Sequence, residues 1–376
     1  RKLLWWCPLG VANNGNWNGL PSYYFGGEVY SMWSYTDIYG NWTAPMIQAP
    51  AAFLDACHKN GVRSGVVASV PFGASPSKND GSHGSNINAL VTGGYDKLLK
   101  YLRYYGVDGV GFNSEFSWDL LDATGFKNLM GNCYSNAAYY GVPFNNAWYS
   151  FTSNDGDYGD YSVLNSGCVQ WFHYNGKKVS DAYFLNYNWG SSQLNTSVST
   201  ANGQGRSGFD VYAGMDYQGR SNADWLALQY YNTSFGLWGA HNMNMIYESR
   251  GELGANPIQL QKTYQLISEN SFTGSSYNPV NTPAISNILR HTSTATNFHG
   301  FSSFITARST LTPQDGGTLA TDPFVTYFNL GNGMFFKEEG VTTFDREWYN
   351  LGMQDYLPTW RWWWTKNFMG KNATDA

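Results

Sequence analysis

The chain has 376 residues, of which 42% are hydrophobic and only 13% are charged, so it is not an intrinsically disordered protein. Its formal net charge is −5 and it has no cluster of lysine and arginine, which argues against nucleic acid or a membrane surface as its partner. No run of about 18 apolar residues occurs, so no membrane span is predicted. Aromatic residues reach 18%, a level typical of proteins whose clefts stack on flat or ring-shaped ligands such as sugars.

The sequence carries no signature of a metal or an organic cofactor. Its four cysteines (Cys7, Cys57, Cys133 and Cys168) are too widely spaced for the usual zinc patterns, and they either form one or two disulfides or stay as buried thiols. The six histidines form no HExxH or HxH pattern. We therefore predict neither a metal nor a cofactor. The low lysine content, with abundant Gly, Asn, Ser and Tyr, favours an extracellular or cell-surface protein over a cytoplasmic one.

Strand and helix signals alternate along the first two-thirds of the chain. Apolar strands are predicted at residues 3–7, 34–39, 62–70, 107–115, 142–150, 182–188, 209–216 and 236–246. Helices are predicted at 51–60, 95–105 and 125–140, and each is followed by a glycine, which commonly ends a helix. The repeated order of helix, glycine and strand predicts an α/β protein with a parallel sheet, and eight strands predict a (β/α)8 TIM-type barrel.

The composition changes after about residue 275. Residues 278–283 resemble a linker, and the remainder is rich in Thr, Ser, Gly and Phe, with short alternating runs at 324–330 and 334–336. We predict a catalytic barrel over residues 1–275 and a small β-rich module over residues 276–376, together part of a longer, monomeric protein.

The predicted fourth strand ends in two polar side chains, Asn113 and Glu115. Residues two apart on a strand point the same way, with Cα atoms about 6.5 Å apart. The run before them carries a single charge, which indicates a strand that is buried on both faces. Its C-terminal end then opens at the mouth of the barrel, where catalytic groups are expected. The alternative, that Glu115 is an ordinary surface carboxylate, is weaker in this context.

The neighbouring strands deliver similar side chains to the same rim. The fifth ends in Trp148 and Tyr149, and the sixth ends in a run that contains Asn186 and Trp189. Together they predict an amphipathic pocket of the kind that binds sugars.

Later strand ends add further candidates for contact with a sugar. These are Trp238 and two acids, Asp216 and Glu248. The acids either bind sugar hydroxyls or form structural ion pairs with nearby arginines. Asp37, at the end of the predicted second strand, is a weaker candidate of the same kind.

One Glu and one Asn suggest a particular chemistry. Retaining glycosidases usually need two carboxyl groups, about 5–5.5 Å apart. A 2-acetamido sugar removes the need for the second, because its own carbonyl oxygen attacks the anomeric carbon and forms an oxazoline. Asn113 would orient that amide, and Glu115 would protonate the leaving oxygen and then activate water. Burial among aromatic side chains favours the protonated form of Glu115 that this first step requires.

Residues 108–115 resemble the strand-four motif of chitinase-type glycosidases, with Gly111 and Asn113 in place of aspartates. The Asn-x-Glu form is similar to glycoside hydrolase family 85, the endo-β-N-acetylglucosaminidases. At residues 147–152 the chain has Ser150 where many members of the family have an Asp. The other segments that carry the resemblance are residues 33–39, 184–189, 210–220, 247–248 and 348–359.

The resemblance implies roles for individual residues. Glu115 is the expected acid/base, Asn113 holds the imidate form of the acetamido group, and Tyr149 hydrogen-bonds at the reacting sugar. Trp189 and Trp171 are expected to flank the acceptor or core-sugar subsites. The implied reaction is retaining cleavage of the β-1,4 bond between the two core GlcNAc residues of N-linked glycans, with transfer to an acceptor sugar as a second outcome.

Two alternatives stay open. A conventional two-carboxylate retaining glycosidase would use Glu115 as acid/base and Glu248 as nucleophile. In that superfamily the Asn directly precedes the Glu, whereas here Ser114 separates them, which favours the substrate-assisted scheme. A non-catalytic carbohydrate-binding protein is the second alternative, and the presence of both Asn113 and Glu115 argues against it.

Overall fold

A computed structural model of the chain describes most of its first 239 residues and short parts of the remainder. The described residues are 1–7, 32–41, 51–67, 82–114, 122–156, 159, 161–216, 224–239, 272, 300, 301, 305, 332, 333, 335–338, 341–350, 363, 364, 374 and 375.

Eight parallel strands close into a barrel, which confirms the predicted architecture. The strands of this region are β1 (Leu3–Cys7), β2 (Ile38–Asn41), β3 (Arg63–Val67), β4 (Gly109–Phe112), β5 (Asn145–Tyr149), β6 (His173–Tyr174), β7 (Lys177–Lys178), β8 (Ala182–Leu185), β9 (Val211–Asp216) and β10 (Ser234–Trp238). Around the barrel they follow chain order, and β10 pairs with β1 to close the ring. The exceptions are β6 and β7, a small antiparallel hairpin in the connection from β5 to β8.

Five helices are described between these strands. They are α1 (Ala51–Lys59), α2 (Ser82–Tyr105), α3 (Ala123–Tyr140), α4 (Ser191–Gly203) and α5 (Trp225–Tyr230). Helix α3 shows clear start and stop signals: the Asp122 side chain accepts the Gly125 N–H at 2.7 Å, and Gly141 ends the helix at a φ of 66°. None of the described helices is long and apolar enough to cross a membrane.

Two predicted elements differ from the structure. The second strand, predicted at 34–39, begins only at Ile38, because Trp33–Tyr35 form a 3-10 turn. Helix α2 begins at Ser82, ahead of the helix predicted at 95–105, and its helical geometry is interrupted at Gly94, where φ is 81°. The helix predicted at 95–105 is therefore the second half of a longer element.

Side chains alternate between the inside of the barrel and the layer under the helices. Two large rings fill the inside, Trp6 from β1 and Phe184 from β8, and they meet at 5.7 Å between ring centroids. They fit because glycines face them. A Cβ atom at Gly40 or Gly111 would lie 2.5 or 2.8 Å from the Trp6 ring, and one at Gly214 would lie 2.5 Å from the Phe184 ring. Such distances are well inside van der Waals contact, so the glycines at these positions are required by packing.

The outer layer is a second, larger apolar cluster. At its centre Trp148 of β5 stacks on Trp171, with ring centroids 4.2 Å apart and an interplanar angle of 4°. Phe112 of β4 and Phe126 of α3 pack against the same Trp148 ring. This layer attaches α3 to the barrel wall.

Aspartates stand immediately before four strands, at the N-terminal end of the barrel. They are Asp37 before β2, Asp108 before β4, Asp181 before β8 and Asp210 before β9. Each accepts hydrogen bonds that tie its own strand start to a neighbouring element.

The bonds of Asp108 and Asp181 illustrate this end of the barrel. Asp108 accepts from the Ser64 backbone N–H at 2.8 Å and contacts His58 Nε2 at 2.9 Å. Asp181 contacts the Arg63 guanidinium at 3.1 Å and accepts the Tyr134 hydroxyl at 2.7 Å. The N-terminal pole of the barrel is thus held by paired charges.

The predicted C-terminal β-rich module is represented by short antiparallel pairs. Strands β11 (Asn332–Gly333), β12 (Phe336–Glu338), β13 (Val341–Phe344), β14 (Trp348–Tyr349), β15 (Trp363–Trp364) and β16 (Thr374–Asp375) form the pairs β11–β14, β12–β13 and β15–β16. The strand predicted at 324–330 lies outside the described residues.

Two aromatic residues, one on each side of position 275, pack on the barrel. Phe301 lies 5.0 Å from Phe235 of β10, and Phe272 stacks on Trp5 of β1 at 6.0 Å, in both cases between ring centroids. Residues on both sides of position 275 therefore contribute to the outer layer, while the predicted domain boundary stays a prediction.

All four cysteines are buried free thiols, and burial raises the pKa of Cys133 to about 12.

Candidate active site

Polar side chains gather at the C-terminal mouth of the barrel, one inward position beyond the packed interior. Asn113 follows Gly111 by two residues on the path of β4, and Asn186 follows Phe184 by two on the path of β8. Asn186 faces the barrel interior, since its side chain accepts a hydrogen bond from Tyr149, which belongs to the inner cluster. Strand residues two apart face the same side, so alternation predicts the same direction for Asn113. The Trp6 and Phe184 rings fill the interior of the barrel.

The best-defined contact in the mouth joins Tyr149 of β5 to Asn186. The Tyr149 hydroxyl donates to Asn186 Oδ1 at 2.9 Å, and the same oxygen accepts the Tyr187 backbone N–H at 2.7 Å. Asn186 is only 6% exposed, so its amide is held in one orientation. Tyr149 also packs against the rings of Phe151 and Tyr187, at centroid distances of 5.1 and 5.8 Å. The predicted partner of the reacting sugar is thus a rigid group in the barrel interior.

Two further predicted residues end neighbouring strands at the same level. Asp216, the last residue of β9, is 4% exposed and pairs in register with Trp238, the last residue of β10. Both follow inward-facing glycines by two residues, which places them on the inner side of the barrel wall. Trp238 is half-buried and meets Trp6 edge-on at 6.2 Å. This side of the mouth combines a carboxyl group with an indole ring.

Three predicted sugar platforms lie elsewhere. Trp148 and Trp171 stack on each other in the outer layer, and both are fully buried. Trp189 is 2% exposed in the same cluster and donates its indole N–H to the Gly214 carbonyl at 2.7 Å. Their burial speaks against the predicted sugar contacts, because a stacked sugar needs an accessible ring face. For Trp148 the reason is simple: it is adjacent to the inward-facing Tyr149, and consecutive strand residues face opposite sides.

Asp37 is also placed differently from its prediction. Because β2 starts at Ile38, Asp37 lies at the N-terminal end of the strand. Its carboxylate accepts the Leu3 backbone N–H at 2.8 Å, and it therefore ties β2 to β1 at the pole opposite the mouth. It is a structural residue in this fold.

Two predicted acids, Glu115 and Glu248, lie outside the described residues. Sequence reasoning also missed three residues. Trp6 fills the barrel interior below Trp238, and the cue for it was the set of glycines on the strands that face it. Ser114 and Ser150 bond the strand ends beside the mouth, and no sequence pattern marks them. Within the described ranges no group of three His, Cys, Asp or Glu side chains is arranged to hold a metal ion.

The arrangement suits a neutral, ring-shaped ligand. Amides and a phenol offer hydrogen bonds to hydroxyl or acetamido groups, and aromatic rings offer apolar faces. The paired charges of the barrel lie at the opposite pole, so the field in the described part of the mouth comes mainly from neutral dipoles and from Asp216.

The comparison with known proteins agrees with the fold and the motif. The sequence profile described as Glycosyl hydrolase family 85 matches residues 22–336. Among solved structures, the glycoside hydrolase domain of Endo-D from Streptococcus pneumoniae R6 is similar, with a TM-score of 0.64 and 23% identity. The match covers 96% of this chain and 54% of that one, so the chain spans about half the length of that structure.

More distant similarity extends to family 18 chitinases. The enzyme from Crocus vernus gives a TM-score of 0.38 and 13% identity over 70% of this chain and 98% of that one. That similarity is too weak to support an argument. No protein among those with curated descriptions matches the chain significantly.

Proposed function

Because the chain belongs to glycosyl hydrolase family 85, we propose that it is a retaining endo-β-N-acetylglucosaminidase that cuts the N,N'-diacetylchitobiose core of N-linked glycans. One observation carries the proposal: Asn113 ends the fourth barrel strand at a mouth where Tyr149 is already fixed by Asn186. A neutral amide and a rigid phenol on neighbouring strand ends suit a sugar that supplies its own nucleophile.

In the proposed first step, the carbonyl oxygen of the 2-acetamido group attacks the anomeric carbon and displaces the leaving sugar oxygen. Asn113 orients the acetamido group and stabilises the positive charge that develops on it. Glu115 donates the proton to the leaving oxygen. The product of this step is a protonated oxazoline (an oxazolinium ion) that keeps the amide N–H, and one GlcNAc stays on the peptide.

In the second step, water attacks the anomeric carbon of the protonated oxazoline and restores the acetamido group, and the Glu115 carboxylate accepts a proton from that water. Retention follows because each step inverts the anomeric carbon once. An acceptor sugar hydroxyl in place of water would give transglycosylation. Tyr149 donates to Asn186 in the structure, and we infer that the same phenol lies beside the acetamido group of the bound sugar.

We assign the substrate contacts beyond the reacting sugar to the ends of β9 and β10. Asp216 and Trp238 end adjacent strands, and the acid would accept bonds from sugar hydroxyls while the indole stacks on an apolar sugar face. For Glu248 we keep the role predicted from the sequence, in which its carboxylate binds a sugar hydroxyl.

The test is mass-spectrometric analysis of an Asn-linked glycopeptide incubated with the protein. The expected product is a peptide that retains one GlcNAc. Glu115→Gln should abolish the reaction, and Asn113→Ala should lower it by about a thousandfold. The matched controls are Glu338→Gln and Asn195→Ala, whose side chains are exposed and belong to none of the barrel strands.

Two outcomes would contradict the proposal in different ways. Full activity of Asn113→Ala would reject the substrate-assisted scheme and favour two carboxylates, with Glu248 as nucleophile. Absence of cleavage by the wild type for high-mannose, hybrid and truncated glycans would favour a carbohydrate-binding protein.

A further inference from the structure

The pairing of β4 with β5 continues beyond the last backbone pair through a side chain. That last pair is Phe112 with Trp148. Two residues further on, the Ser114 hydroxyl donates to the Tyr149 carbonyl at 2.5 Å and accepts the Phe151 N–H at 3.0 Å. In a continuing parallel ladder the backbone N–H and C=O of residue 114 would make these two bonds. The hydroxyl therefore replaces its own backbone in the ladder.

The same substitution occurs between β5 and β8. The Ser150 N–H donates to the Phe184 carbonyl at 2.9 Å, as a regular ladder requires. The reciprocal bond, from the Asn186 N–H, goes to the Ser150 hydroxyl at 2.9 Å rather than to the Ser150 carbonyl. That carbonyl accepts the Tyr161 N–H at 3.1 Å, and the Ser150 hydroxyl in turn donates to the Tyr161 carbonyl.

These two serines adjoin the residues of the proposed site. Ser114 follows Asn113 directly, and Ser150 follows Tyr149 directly. The third strand end is bonded at Asn186, whose side chain holds the Tyr149 hydroxyl. Both serines are fully buried, so water does not compete for these bonds.

We propose that Ser114 and Ser150 form a serine clamp, a pair of positioning residues that fixes the separations of Asn113, Tyr149 and Asn186 at the mouth. The positioning of the strand ends by these serines does not depend on the proposed function. Its expected effect on catalysis does rest on that function. Its physical reason is that the strands must diverge at the mouth to admit a sugar, while the side chains that act on it must stay in place. A hydroxyl, which can donate and accept, bridges a gap that the backbone no longer spans.

Removal of the Ser114 hydroxyl should move the end of β4 relative to β5. In Ser114→Ala the Tyr149 carbonyl and the Phe151 N–H lose the buried hydroxyl that they share. The Phe151 N–H keeps its bond to the Tyr149 carbonyl at 3.0 Å, and between the two strand ends the 3.3 Å bond from the Thr152 hydroxyl to the Ser114 carbonyl stays. A displacement of about 1 Å at a catalytic group lowers rates about a hundredfold. We therefore expect a fall of about that size in kcat, because the acetamido group is no longer held by Asn113 in its reactive orientation.

A matched control lies in α4. The Ser197 hydroxyl is fully buried, donates to the Gln193 carbonyl at 2.7 Å and accepts the Leu164 N–H at 2.9 Å. It thus makes the same two kinds of bond as Ser114, away from the mouth. Ser197→Ala should leave kcat per folded molecule within about threefold of the wild type.

Turnover of two substrates distinguishes an effect of Ser114→Ala on positioning from a loss of folded protein. The first is an N-glycopeptide, whose oxazoline must form on the enzyme. The second is a preformed glycan oxazoline, which enters after the step that Asn113 assists. Ser114→Ala should lower kcat for the glycopeptide about a hundredfold with KM within about threefold, and should lower turnover of the oxazoline by less than about tenfold. A merely structural loss would lower both by the same factor.

Amide hydrogen exchange tests the clamp without reference to activity. Exchange at the Phe151 amide should quicken in Ser114→Ala, and exchange at the Asn186 amide should quicken in Ser150→Ala, with neither changed in Ser197→Ala. Glycopeptide turnover by Ser114→Ala equal to that of Ser197→Ala, or equal losses on both substrates, would overturn the positioning role. If the wild type cleaves no glycopeptide, the proposed function fails and exchange alone decides: unchanged exchange at Phe151 overturns the clamp, and faster exchange supports it.

Discussion

The two ends of the barrel use polar groups in opposite ways. At the N-terminal pole, four aspartates precede strands and bond to backbone N–H groups or to cationic side chains. At the C-terminal mouth, the described polar groups are mostly neutral, and serine hydroxyls bond the strand ends. The same strands thus carry paired charges where they begin and potential ligand contacts where they end.

Along such a strand, the polar residue at the N-terminal end therefore contributes to stability, and the polar residue at the C-terminal end is available for binding and chemistry. A buried carboxylate that is fully paired closes the barrel and leaves nothing for a ligand. A neutral amide or phenol at the mouth can exchange its partner for a sugar group at low cost. Changes at the pole should therefore affect unfolding but not turnover, and changes at the mouth should do the reverse.

The largest expected effect is at the pole. Asp181→Ala leaves the Arg63 guanidinium, the Tyr134 hydroxyl and the Asn146 N–H without their shared acceptor. The free energy of unfolding should fall by about 3–5 kcal/mol, measured by urea denaturation. The control is Asp96→Ala, whose pair with Lys100 is exposed and should matter by about 0.5 kcal/mol or less. A fall in kcat of the folded Asp181→Ala protein would contradict the separation.

The second prediction compares a wall tryptophan with a mouth tryptophan. Trp148→Phe removes part of a fully buried stack and should cost about 1–3 kcal/mol in the free energy of unfolding, with KM for a glycopeptide unchanged. Trp238→Phe should cost less stability, because Trp238 is half-buried, and should raise KM. Thermal unfolding and steady-state kinetics on both variants measure the contrast. A KM that rises only in Trp148→Phe would restore its predicted role as a sugar platform.

The third prediction concerns the phenol of Tyr149. Tyr149→Phe removes one hydrogen bond, but Asn186 Oδ1 keeps the Tyr187 N–H, so the free energy of unfolding should fall by only about 1 kcal/mol. The ratio kcat/KM should fall about tenfold, because the Asn186 amide loses the donor that orients it and the sugar loses the phenol oxygen as a hydrogen-bond partner. Unchanged kcat/KM would remove Tyr149 from the proposed site.

The smallest effect is a pH dependence at the pole. The hydrogen bond to Asp108 raises the pKa of His58, so the folded state favours the protonated imidazole. This contribution is fully present below the unfolded pKa of about 6.5 and is lost as the pH rises through the folded value. His58→Gln should lower Tm by about 1 °C at pH 5.5 and by less at pH 9, a small change because the ring is half-exposed. An equal difference at both pH values would contradict the assignment.

The barrel and the place of Asn113 follow from local sequence patterns. Apolar strands alternate with helices that stop at glycines such as Gly141, and the two-residue spacing of strand side chains puts Asn113 on the inner face of β4. These features need only short-range rules, so the sequence reveals them. The family motif at residues 108–115 also predicts the position of Asn113 at the end of the fourth strand.

The remaining differences arise from contacts that are distant in sequence. Trp171 is buried because it stacks on Trp148 and packs against Phe126 of α3, and Trp189 is buried in the same cluster with its indole N–H on Gly214. No local pattern reports these contacts. The start of β2 is set by the bond from Asp37 to Leu3, which are 34 residues apart. The clamp depends on how β4 and β5 are aligned beyond their last backbone pair. Trp148 is the exception, since strict alternation with Tyr149 is enough to place it outside.

The glycines that face Trp6 and Phe184 have a consequence for engineering. The two rings occupy space that glycines on other strands leave open. Truncating Trp6 to leucine would open that space for a bulkier sugar substituent, and it would also remove the edge-on contact between Trp6 and Trp238. A redesigned interior therefore needs a new support for the Trp238 ring.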